Sequence, residues 1–145
     1  MSFKPLYPDK AILLDYKESA SLTAVQGNLV YLTGGYLTEC GADPAIILGV
    51  LAEDGSNGSE GANSAGVWLA LPGTIFVAEG TTTTAQTQVG EDYGVALESS
   101  VWRVDTGDTG NVRVNVIALD PRDAAGTDEG RYHVTFISSA SQASL

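Results

Sequence analysis

The apolar positions of this chain fall in short runs, and the tightest succession of them lies between Gly27 and Ala52. Leu29–Leu32, Tyr36–Cys40 and Ile46–Ala52 are apolar segments, with Gly34-Gly35 between the first two and Gly41-Ala42-Asp43-Pro44 between the last two. Runs this short, rich in β-branched and aromatic side chains, predict strands rather than helices. Gly-Gly supplies the positive φ of a tight hairpin turn, and Asp-Pro starts a turn with φ already fixed. Three sequential strands are expected here, the seed of a small barrel or sandwich.

The remaining chain follows the same pattern. Val67–Leu71 and Thr74–Ala78 read as strands around the turn dipeptide Pro72-Gly73. Thr84 is placed to cap a short helical turn running to Gln88. Gly90–Gly94 reads as a turn, Val95–Leu97 and Val101–Val104 as short strands, and Asp105–Asn111 as a polar hairpin loop. Val112–Ala118 and Arg131–Ile137 alternate apolar and polar positions, as half-buried strands do. Glu53–Gly66 is built of small and polar residues and is expected to be a flexible surface loop. Eight or nine short strands without βαβ alternation predict an all-β fold, a small single-domain β-barrel or sandwich.

Both ends stand apart from that pattern. Residues 1–18 are expected to form an extended N-terminal arm, because Pro5 and Pro8 bar a regular helix. Phe3, Leu6, Tyr7, Ile12, Leu13 and Leu14 nevertheless give the arm much apolar surface. It either packs on its own domain as an edge strand or adds a strand to another chain. The barrel domain is expected over residues 19–137, with a flexible tail over 138–145.

Charge narrows the choice of partner. Seven basic against 18 acidic residues give a net charge of −11. A surface this acidic repels phosphate, which disfavours nucleic acid and anionic membranes. The three lysines all lie in the arm, balanced there by Asp9, Asp15 and Glu18, so the body carries the excess. No signal peptide or membrane-length apolar run is expected in this sequence. Cys40 is the single cysteine, which rules out an intrachain disulfide and reads as a buried, inert thiol.

Candidate chemistry is sparse. Asp105-Thr106-Gly107 matches the active-site triplet of dimeric aspartic proteases. Arg103 and Asp108 depart from that family's pattern, and a hairpin turn accounts for the triplet without catalysis. Asp105, Asp108 and Asn111 could offer oxygen ligands to Ca²⁺, but their spacing matches no EF-hand loop. The lone His133 cannot make a metal cluster, and no phosphate-binding glycine loop is present. No catalytic residue, cofactor or metal is expected. Trp68 and Trp102 lie in apolar strand contexts and read as core; grouped on an exposed face they would instead suggest a tail or fibre module contacting carbohydrate.

Several segments together resemble the head decoration (cement) proteins of tailed bacteriophages. They are Gly27-Asn-Leu-Val30, Gly35-Tyr-Leu37, Glu39-Cys-Gly-Ala-Asp-Pro-Ala-Ile46 and Gly49-Val-Leu-Ala52, with Leu71-Pro-Gly-Thr-Ile-Phe76 and Arg131-Tyr-His-Val-Thr-Phe136 further on. Thr84-Ala85, Val89-Gly90 and Tyr93-Gly94 fit the same pattern. The resemblance implies a β-tulip-like barrel that sits as a homotrimer on the outer face of the capsid and bridges major capsid protein subunits. It implies a virion protein made in the host bacterial cytoplasm, and a structural rather than enzymatic role.

Overall fold

The computed structural model describes residues 2–143, and it is all-β. Eleven strands run in chain order: β1 Lys4–Pro5, β2 Leu13–Lys17, β3 Leu29–Thr33, β4 Tyr36–Glu39, β5 Gly49–Leu51, β6 Ser64–Leu69, β7 Phe76–Glu79, β8 Asp92–Glu98, β9 Val101–Asp105, β10 Val114–Leu119 and β11 Arg131–Phe136. They form a six-stranded sheet in the order β1-β7-β11-β10-β8-β9 and a five-stranded sheet in the order β2-β6-β5-β3-β4. Every strand pair in both sheets is antiparallel.

The five-stranded sheet curls until its two edges meet at one end. Glu18, just after β2, bridges Leu37 of β4, and Ser19 N–H donates to the Leu37 carbonyl. The six-stranded sheet also folds back on itself, with Gly80, just after β7, bridging Val104 of its edge strand β9. Alternation along the strands then sorts side chains into two cores. Val30, Leu37, Leu51, Val67 and Leu69 fill the inside of the smaller curl. Their neighbours of opposite parity, Leu29 and Val50, join Phe76, Trp102, Tyr132, Val134 and Phe136 in the larger cluster. Burying such side chains stabilises by about 1.5–3 kcal/mol each.

The expected glycine turn is present. Gly34 and Gly35 have φ of +59° and +89°, and the register runs Thr33 opposite Tyr36, a two-residue hairpin. A second such turn carries no glycine: Ser99 and Ser100 have φ of +49° and +66° between β8 and β9. The one-turn helix Gln86–Gln88 lies where it was expected, but Ala85 stands at its N-cap rather than Thr84. The Gly90–Gly94 segment is a turn only at its start, since Asp92 onward belongs to β8. In β10 a bulge between Val116 and Ala118 turns Ile117 outward and breaks the regular alternation.

Three further expectations are corrected by pairing that no local pattern announces. Residues 2–18 are not a separate arm. β1 is the edge of the larger sheet, β2 is the edge of the smaller one, and Phe3 is fully buried against Phe136 with ring centroids 5.6 Å apart. Met1 lies outside the described residues. The 53–66 segment is tied down rather than free: Ser21, Leu22 and Ala24 exchange backbone hydrogen bonds with Gly58, Asn57 and Gly55. The buried carboxylate of Glu18 accepts from both the backbone N–H (2.7 Å) and the hydroxyl (2.9 Å) of Ser56. The tail is ordered up to 143, with residues 144–145 outside the description. There, Gln142 uses its side-chain amide as a strand residue uses its backbone, accepting from Leu32 N–H at 2.7 Å and donating to the Leu32 carbonyl at 3.0 Å. Ile47 pairs with this segment, which leaves only Gly49–Leu51 of the expected 46–52 strand in the sheet.

Candidate binding surface

Residues 2–17 pass from one sheet to the other along one side of the molecule. Ser2 anchors the start: its buried hydroxyl accepts from the Trp102 backbone N–H at 2.8 Å and donates to Asn28 Oδ1 at 3.2 Å. Leu6 N–H donates to the Ile75 carbonyl, and a one-turn helix over Pro8–Lys10 redirects the chain toward β6. Leu69 N–H then donates to the Ile12 carbonyl. In an antiparallel pair hydrogen-bonded positions alternate, so the backbone groups of Leu13 and Asp15 point away from β6, toward the open edge. Closure onto β4 begins only at Glu18, so the first half of this edge is unpaired among the described residues.

Of the six residues singled out in the sequence, Phe3 is withdrawn into the core and Leu6 is half-buried. The other four are exposed: Tyr7 by 51 %, Leu13 by 54 %, Leu14 by 43 % and Ile12 by 38 %. Leu13 and Leu14 point to opposite faces of β2. Leu13 lies over Gly66, and Lys10 holds its ammonium 5.4 Å from the centre of the Tyr7 ring. The result is an apolar strip with a free strand edge on an acidic body.

The other candidate groups serve the fold. Asp105 Oδ1 accepts from Gly107 N–H at 3.0 Å, and Asp108 Oδ1 accepts from Gly110 and Asn111 N–H at 3.1 and 2.9 Å. Both carboxylates thus close turns over their own following residues. Among the described residues no group of three or more His, Cys, Asp or Glu side chains converges as metal ligands would. Burial, helped by Glu39, pushes the Cys40 thiol up to about 12, which leaves it un-ionised at neutral pH. Trp102 is fully buried, and Trp68 packs half-buried against the same core.

A cluster that pattern reasoning passed over lies at the Asp120–Asp123 turn. The Arg122 guanidinium grips the buried Asp120 through Nε (2.8 Å) and Nη2 (2.6 Å), and His133 Nε2 lies 3.2 Å from the same carboxylate. The Arg122 hydrogen bonds hold the Asp120 carboxyl well below its ordinary range. Arg131 grips Asp123 in the same two-pronged way at 2.8 and 2.9 Å, which lowers that carboxyl to about 2. The sequence signal was Asp-Pro-Arg-Asp followed eight residues later by Arg, a spacing that has meaning only once β10 and β11 are paired.

Comparison with known proteins finds no matching family model, no similar curated protein and no similar solved structure.

Proposed function

We propose that this chain is a virion structural protein that decorates the outer surface of a phage capsid and stabilises it by bridging major capsid protein subunits. The observation that carries this reading is the half-open β2 edge, with Leu13 and Leu14 exposed on a molecule of net charge −11. Unpaired N–H and C=O groups flanked by apolar side chains suit a partner strand, and the surrounding negative charge keeps the free subunit soluble. The segments that resemble decoration proteins support the same reading, and they suggest a homotrimer. The role proposed is binding rather than catalysis. Nucleic acid and membrane are poor partners for so acidic a surface. Repetition over a capsid lattice would convert a small edge contact into durable attachment.

The test is co-sedimentation with particles. The protein should pellet with capsids at a fixed ratio to the major capsid protein. A Leu13→Ser, Leu14→Ser double variant should fold normally and lose most of that binding. Failure of the wild-type chain to pellet, or full binding by the double variant, would overturn the proposal.

A further inference from the structure

The outer face of the larger sheet carries a groove that gathers cations on an otherwise acidic molecule, with the carboxylates of Glu79 and Asp120 also in its lining. Two connected depressions, of about 220 and 400 Å³, share Lys4, Val77 and Arg122. One half brings together Lys4 of β1, Arg122 of the Asp120–Asp123 turn and Arg131 of β11. The other half has an apolar wall of Pro5, Leu6, Pro8 and Pro121, with His133 at its base. Three of the chain's seven lysine and arginine residues thus meet in one place on a body of net charge −11.

Like charges are held together here by the scaffold. Asp120 and Asp123 each engage Nε and Nη2 of their arginine, and among the described residues neither Nη1 bonds to a protein group. The bond to Asp120 strengthens the hold of Arg122 on its proton, while the nearby Arg131 charge opposes it. Lys4 is exposed and has no carboxylate within salt-bridge range among the described residues. Glu79 also borders the groove, where its charge supports that of Arg131, and it pairs with Arg103 at 3.1 Å. Cations fixed side by side, with donors left over, favour an anion that lies between them.

We propose that this groove binds an acidic, apolar-flanked peptide segment of a partner protein, with its carboxylate between Lys4, Arg122 and Arg131. A free phosphate would use only the cationic half. An extended peptide uses both, setting a carboxylate at the guanidinium edges and an apolar side chain against the proline wall. Elsewhere the acidic surface repels such a segment, so this groove fixes where it docks. The inference stands apart from the capsid reading, because the site takes an acidic segment whichever protein carries it.

The test uses the isotopically labelled full chain and a blocked peptide of alternating glutamate and leucine residues, followed by nuclear magnetic resonance. The amide signals of Lys4, Val77, Glu79 and His133 should shift on titration. Lys4→Glu, an exposed change that leaves both arginine–aspartate pairs intact, should weaken binding at least tenfold. A glutamine-for-glutamate peptide should leave the signals in place. The proposal is overturned if no groove signal moves, if Lys4→Glu binds as well as the wild type, or if inorganic phosphate alone shifts the same signals at equal concentration.

Discussion

Ser99 and Ser100 occupy a backbone conformation that residues other than Gly, Asn and Asp rarely adopt, and both do so in a two-residue turn. Replacing the pair with Asn-Gly keeps the turn and removes the strain. A gain of about 1 kcal/mol is expected, read as a rise of several degrees in Tm. The reverse holds for the carboxylates behind the groove. Asp123 has its pKa lowered to about 2 by the hydrogen bonds of Arg131, and Asp120 is lowered further by those of Arg122. A group whose pKa falls on folding stabilises above its unfolded value, about 3.9, and loses that contribution as pH drops toward the folded one. Tm should therefore decline between about pH 5 and pH 2. Asp123→Asn should start from a lower Tm and decline less steeply over that window. A wild-type melt that is flat across the window would contradict this account.

The strands show which parts of the fold were legible at the level of elements. Short apolar runs between turn residues placed β3, β4 and β9, and alternation placed β11, each to within a residue or two. Pairing between distant segments could not be read that way. Nothing in Leu13–Lys17 names Ser64–Leu69 as its partner, and nothing in Gln142 announces that its side chain will bond to Leu32. The prolines near the N-terminus suggested a free arm, yet proline also suits a sheet edge, and Pro5 occupies one there. The six proposed contact residues divide for the same reason: burial of Phe3 depends on Phe136, far along the chain. Deleting residues 2–15 should thus lower Tm sharply by removing Phe3 and exposing both sheets along one side. The Leu13, Leu14 double variant should barely shift it. Thermal melts of the two proteins, run side by side, separate the structural share of this segment from its proposed binding share.

At the scale of the molecule, the first seven strands pair like nested brackets. β3 meets β4 across two residues; β5 and β6 join that hairpin; β2 then closes on β6, and β1 on β7. Closing a long loop costs more entropy than closing a short one, but each inner pairing shortens the effective loop that the next must close. The order of assembly should therefore run outward from Gly34-Gly35. Truncating Val30 or Leu37 should slow folding, whereas Phe3→Ala, at a cost of about 3–5 kcal/mol, should act almost wholly on unfolding. Stopped-flow chevrons of the three variants check this; a large fall in the folding rate of the Phe3 variant would contradict it. What the outermost bracket governs is then lifetime rather than speed. The segment that comes last to the folded state is the first to leave it, and Phe3, seated against Phe136, sets how long each molecule persists once made.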